Sequence, residues 1–186
     1  MKGYDRKTIG DLLEGALPWQ QTKQIMSSYK DDDRFLKALA AHQMRVPWKA
    51  RILLPLGENL YIVLKEGQRV VRCSCGFVFG DASRNWKLGA VVLVRKTRQE
   101  LAEIYPHADV CDGNWMELRE FICPSCATLL EVEACAPGYP IVEDFRPDLD
   151  AFYSEWLGAP LEDASGEASP NEHGGSSLSQ PPDRNT

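Results

Sequence analysis

Along the first quarter of the chain, apolar residues recur at helical spacing. Leu12, Leu13, Ala16 and Leu17 form one short stripe, and Phe35, Leu36, Leu39 and Ala40 form another. Pro18 stands between them, where the fixed φ of proline suits the opening of a second helix. Residues 1–45 are therefore expected to form a helical N-terminal region. The run Asp31-Asp32-Asp33 precedes the last stripe. Carboxylates there can cap free N–H groups and face the positive end of the helix dipole, so the run reads as a helix start rather than a metal site.

After Val46-Pro47-Trp48 the pattern changes to strands. Residues 51–54, 59–65 and 69–73 are rich in Ile, Leu, Val and Tyr. Leu56-Gly57-Glu58 and Glu66-Gly67-Gln68 separate them, as turns separate consecutive antiparallel strands. Residues 87–96 (KLGAVVLVRK) form a further strand candidate, and Thr97 with Glu100 matches a capping box opening a short helix. Residues 116–123 and 128–134 complete a hairpin. The expected fold class is α+β: N-terminal helices over 1–45, then an antiparallel β domain over 46–135.

Residues 136–160 are of a different kind. Pro137, Pro140 and Pro147 keep the segment out of a central strand, and Tyr139, Phe145, Phe152, Tyr153 and Trp156 need burial somewhere. The segment is expected to be extended, wrapping its own domain or docking on a partner, with Tyr139, Phe145, Tyr153 and Trp156 as anchors. Residues 161–186 are rich in Ser, Gly, Pro and acid, without periodicity, and are expected to be a disordered acidic tail. That tail carries a charge of −4 of the net −6, which leaves the rest nearly neutral. A near-neutral body lacks the basic excess of a protein that neutralises phosphates.

The chemistry of the chain is concentrated in two cysteine pairs, Cys73-Ser74-Cys75-Gly76 and Cys123-Pro124-Ser125-Cys126, each at an expected strand end. Each pair can aim two thiolates at one point. Cys73, Cys75, Cys123 and Cys126 together offer the four soft ligands that a structural Zn²⁺ takes at ~2.3 Å in a tetrahedron. Two free-thiol turns or disulfides are the alternatives. The N-terminus, MKGYDRKTIGDLL, has no apolar signal-peptide run, and no apolar stretch approaches the roughly 20 residues of a membrane span. The chain is thus expected to be cytoplasmic, where paired cysteines more often hold a metal than a disulfide. A closed four-thiolate site leaves no position for catalysis.

Little else points to catalysis. His42, His107 and His173 sit in no recognisable motif, Cys111 and Cys135 stand alone, and no phosphate-binding glycine loop or nucleophile elbow is present. Five tryptophans (Trp19, Trp48, Trp86, Trp115 and Trp156) are many for 186 residues; core positions account for most, and an interface can use the excess.

Several blocks, in order, carry a family resemblance: VPWKARILLPLGENLYIV at 46–63, VRCSCGFVF at 71–79, NWKL at 85–88, EIYP at 103–106, REFICPSC at 119–126 and YPIVEDFRPDLDAFYSEWLG at 139–158. Across roughly residues 5–160 the chain resembles the small (gamma) subunits of acetone carboxylases and their relatives in acetophenone carboxylases. Ala127 departs from the glycine that often follows such a knuckle. The resemblance implies a small, non-catalytic subunit of an ATP-dependent, biotin-independent ketone carboxylase that joins bicarbonate to a ketone. ATP and Mn²⁺ or Mg²⁺ would then be used by two large hydantoinase-like partner subunits, with no nucleic acid and no membrane as partner. The other reading of the same residues is a free-standing zinc-ribbon module that binds nucleic acid or a regulatory protein.

Overall fold

The computed structural model describes residues 3–106 and 109–161. Three helices come first: α1 (Arg6–Leu13), α2 (Trp19–Ser27) and α3 (Arg34–Arg45). Asp5 caps α1 by accepting from the Thr8 amide at 2.7 Å, and Pro18 immediately precedes α2. The aspartate run does precede a helix, but it provides no side-chain cap for α3. Asp31 instead accepts from Arg34 Nε at 2.7 Å and Lys37 Nζ at 3.0 Å. These bonds, that of Lys37 foremost, hold its carboxyl well below the usual carboxylate range.

Two antiparallel sheets follow. The first has the order β1 (Arg51–Pro55), β2 (Leu60–Lys65), β3 (Gln68–Cys73), β4 (Val78–Asp81). The second has the order β5 (Val91–Arg95), β6 (Glu117–Ile122), β7 (Leu129–Cys135), with the short α4 (Arg98–Ala102) between β5 and β6. The two-residue loop from β2 to β3 puts Glu66 at φ 52° and Gly67 at φ 79°. Positive φ at both positions matches the right-handed twist of a tight hairpin, and glycine adopts it without a Cβ clash. The Thr97–Glu100 capping box opens α4 as its sequence requires.

Two expectations about strands need correction. Residues 87–96 do not form one strand, because Trp86–Gly89 is a 3₁₀ turn and the strand begins only at Val91. Asn85 Oδ1 accepts from the Lys87 amide at 3.0 Å, which fixes the turn and directs Lys87 inward. Strand β4 was not expected at all: it is four residues long and contains Gly80 at φ 125°, so its sequence reads as a turn.

The first sheet is buried on both faces. Ile52, Tyr61, Val63 and Val70 lie with Leu39 of α3, Val46 and Trp48. Leu53, Leu60, Ile62 and Val71 meet Trp86, Phe121 of the second sheet, and Leu149 and Tyr153 of the C-terminal segment. Edge-to-face rings join the two sheets, with Phe79–Trp86 centroids 5.5 Å apart and Trp86–Phe121 centroids 6.1 Å apart.

The C-terminal segment is strapped to the body. Asn85 Nδ2 donates to the Ile141 carbonyl at 3.2 Å, and Lys87 bonds Asp144. Arg69 grips Asp150 with two bonds of 2.8 and 2.5 Å. A short helix α5 (Leu149–Ala151), widening to π geometry over Phe152–Trp156, then inserts Tyr153 into the core, where its hydroxyl donates to the Leu53 carbonyl at 2.8 Å. Tyr153 therefore cannot anchor a partner: its own sheet already buries it. Tyr139, Phe145 and Trp156 remain exposed. Leu161, the first residue of the expected acidic tail, packs against the core; the rest of that tail, residues 162–186, lies outside the described residues.

Candidate metal centre

Both cysteine pairs occupy hairpin turns. Cys73 ends β3 and Cys75 lies in the turn to β4, while Cys123 follows β6 and Cys126 lies in the turn to β7. In the first knuckle the Cys73 amide donates to the Phe77 carbonyl and the Gly76 amide to the Cys73 carbonyl, both at 2.9 Å. In the second, the Cys123 amide donates to the Thr128 carbonyl at 2.9 Å and the Ala127 amide to the Cys123 carbonyl at 3.0 Å. The turn closes because Ala127 adopts φ 57°, the left-handed conformation that glycine supplies more cheaply. The substitution of alanine for glycine is thus absorbed as local strain without displacing a cysteine.

The four Sγ atoms lie within 4.8 Å of one another. Cys73–Cys126 and Cys75–Cys123 are each separated by 3.8 Å. A tetrahedron with bonds of ~2.3 Å requires edges of about 3.8 Å, so the cage fits a structural Zn²⁺. All six cysteines are free thiols. Cys73 and Cys123 form the buried floor, and Cys75 and Cys126 the exposed rim.

The floor and the rim differ in acidity. Burial pushes the Cys73 thiol up to about 12 and raises Cys123 as well. The Thr128 hydroxyl and amide lower Cys126 to about 6. In the metal-free chain Cys126 is thus mainly thiolate at neutral pH, whereas Cys73 and Cys123 keep their protons. Metal binding must expel those two protons, so affinity should rise with pH. The expected slope of log affinity against pH is about two or more near neutrality, and steeper below about pH 6, where Cys126 also takes a proton. Competition against a chromophoric chelator across this range measures it, and a slope below one would contradict the assigned ligands.

Neighbours that the cysteine spacing did not reveal hold the first knuckle. Trp48 Nε1 donates to the Ser74 carbonyl at 3.0 Å, and Arg72 Nε donates to the Gly76 carbonyl at 2.9 Å. The Arg72 guanidinium also lies 4.5 Å from the Trp48 ring centroid. Ser74 bonds Asn59 through both its amide and its hydroxyl. Trp48 and Arg72 belong to sequence blocks that carry the family resemblance, which was the one signal available for them.

The remaining sequence candidates lie elsewhere. Cys111 is exposed at a cleft of about 740 Å³ lined by Lys96, Arg98 and Asn114. Cys135 is half-buried on β7. His42 packs against Tyr61, with its Nδ1 3.4 Å from the hydroxyl, and its pKa is lowered by burial. His107 and His173 fall outside the described residues. Of the tryptophans, Trp86 is in the core and Trp48 supports a knuckle, but Trp19, Trp115 and Trp156 are exposed, so core positions account for fewer than expected.

Two strand-end cysteine turns closing on one point, in an α+β chain, define a four-cysteine ribbon protein. Residues 46–157 match the family described as acetone carboxylase gamma subunit, and the chain belongs to that family. It is 44% identical over 160 residues to the acetone carboxylase gamma subunit of Xanthobacter autotrophicus, covering 85% of this chain and 95% of that one. It is also 30% identical over 79 residues to the acetophenone carboxylase beta subunit of Aromatoleum aromaticum, covering 41% of this chain and 61% of the relative. Among the described residues no helix is long and apolar enough to cross a membrane.

Proposed function

We propose that this chain is the small, zinc-binding, non-catalytic subunit of an ATP-dependent, biotin-independent ketone carboxylase of the cytoplasm. Its relatives' names support the carboxylase and the place within it. The observation that carries the non-catalytic role is the closed set of four sulfur atoms. Cys73, Cys75, Cys123 and Cys126 would fill every position of a tetrahedral Zn²⁺, which then supplies cross-linking rather than Lewis-acid chemistry. ATP and a harder ion such as Mn²⁺ or Mg²⁺ belong with two large hydantoinase-like subunits, since such ions prefer oxygen ligands. In this reading residues 1–45 are the helical N-terminal region, 46–135 the β/zinc-ribbon domain and 136–160 the docking segment, with Tyr139, Phe145 and Trp156 as its exposed contacts.

The purified chain alone should neither hydrolyse ATP nor carboxylate a ketone. Expressed with its large subunits, it should be needed for a stable, active complex. ATP-dependent carboxylation by the large subunits at an undiminished rate without this chain would overturn the role, as would turnover by the chain alone.

A further inference from the structure

The second sheet has its polarity reversed. An antiparallel sheet with one face on the core and one in water normally turns apolar residues inward and polar residues outward. Register fixes the two faces here: Arg119 pairs with Glu133, Glu117 with Cys135 and Phe121 with Glu131, all on the inner side. That inner side keeps Val92, Val94 and Phe121 toward the core, but beside them it buries a cluster of charges. Glu117 Oε1 accepts from Arg119 Nε and Nη2 at 2.9 and 2.8 Å, and Lys87 meets Glu131 at 2.5 Å. The outer side carries Val91, Leu93, Leu118, Ile122, Leu129, Val132 and Ala134 around one charged pair, Arg95 and Glu120. Four of these are substantially in water: Val91 is 51% exposed, Leu93 42%, Leu129 47% and Val132 45%.

At the Leu118 end, the same surface runs into an apolar cleft of about 300 Å³ between α4 and the loop before β6, lined by Leu101, Tyr105 and Met116. Apolar surface on the order of several hundred Å² in one piece is what a protein keeps for a contact. The charges on this face are already matched within the chain: Arg95 bonds Glu120 and Glu103 at 2.6 Å each. The face therefore offers no unpaired cation to a phosphate or an anionic lipid, and its complement is neutral and apolar.

We infer that the outer face of β5–β6–β7 is the docking surface for a large subunit of the carboxylase, which covers it with an uncharged apolar patch and places a side chain in the cleft. This rests on the reading of the chain as a carboxylase subunit. An unlike partner fits better than a second copy, because the relatives are named as the gamma subunit and the beta subunit of carboxylases.

The test is co-purification of the full chain, tagged, with its co-expressed large subunits. The variants are Val132→Lys and the double variant Leu93→Thr/Val132→Thr, which places a strand-favouring β-branched residue at both positions. Melting temperature and metal content of each isolated chain report whether it has folded. Folded variants should recover at least about 100-fold (Lys) and 10-fold (Thr pair) less large subunit than wild type, because a charge or lost apolar contact at a desolvated centre weakens an interface sharply. Wild-type recovery by the folded double variant would overturn the docking face alone. Failure of the wild-type chain to recover large subunits would overturn the subunit reading as well. An isolated wild-type chain that is dimeric by ultracentrifugation, and monomeric as Val132→Lys while still assembling, would assign the face to a second copy instead.

Discussion

Replacing Cys123 by serine is expected to remove the metal and most of the chain's thermal stability together. Cys123 is 1% exposed and lies at the floor of the cage, 3.8 Å from Cys75 on the other knuckle. A serine hydroxyl is a poor ligand for a soft-site ion, so one corner of the tetrahedron is lost. Structural zinc sites in small folded units contribute about 10–16 kcal/mol of apparent binding energy, comparable with the whole net stability of an ordinary domain. Losing even about 4 kcal/mol of this lowers the melting temperature of a chain this long by roughly 8–16 °C. Elemental analysis should find zinc well below one per chain, and calorimetry the lowered transition. Full zinc retention at an unchanged melting temperature would remove Cys123 from the ligand set. The same measurements on Cys111→Ser, which lies outside the four-cysteine cluster, serve as the control.

Lys87→Met should destabilise the protein by about 3–5 kcal/mol at neutral pH. The Lys87 side chain is 1% exposed. Its Nζ bonds Asp144, lies 2.5 Å from Glu131 and 3.9 Å from Glu133, and sits 5.0 Å from the centre of the Phe121 ring. Burial works to lower its pKa, yet the bonds from Asp144 and Glu131 prevail and raise it, so it stays charged. Methionine fills the same volume but leaves three carboxylates facing one another and unties the strap at Asp144. The sign of the pH dependence follows from Asp144, whose carboxyl is held below its usual range chiefly by Lys87. Its contribution is present above about pH 4 and is lost as the pH falls through the lowered value. The gap between wild type and variant, read from denaturant melts, should therefore narrow in acid. Equal stability at pH 7 would show that the cluster contributes nothing.

The parts of the fold that sequence made legible are those where local chemistry and global packing agree. The Glu66-Gly67 turn, the Thr97–Glu100 box and the paired cysteines each state their geometry within a few residues. Strand β4 was illegible because it is only four residues long and Gly80 cuts its apolar pair, Val78 and Phe79, short of any alternation. Tyr153 was misassigned to a partner because a ring in a proline-rich segment looks the same whether its pocket is 100 residues away in the same chain or in another chain. At the candidate metal centre, the meeting of the four cysteines could be read from spacing, but Trp48, Asn59 and Arg72 could not. They reach the knuckle through backbone carbonyls and a serine, which no residue pattern advertises. The reversed second sheet was hidden for a further reason. Alternation fixes which residues share a face, but not which face meets the core, and Lys87 with Arg119 settles that only in three dimensions.

The strap also sets an order of events during synthesis. Cys73 and Cys126 are 53 residues apart, so a metal held by all four cysteines could not bridge the two knuckles until both hairpins had left the ribosome. Tyr153 and Leu53 are 100 residues apart, so the first sheet, made early, waits with its Leu53 side open until the last helix arrives. At about 5–20 residues per second that wait lasts several seconds, far longer than a hairpin needs to form. During it, the nascent chain exposes the inner surface of one sheet and the outer surface of the other. On the proposed reading the window closes in two separate steps, capture of the metal and then seating of Tyr153, and a chain truncated between them is expected to hold zinc yet remain prone to aggregation.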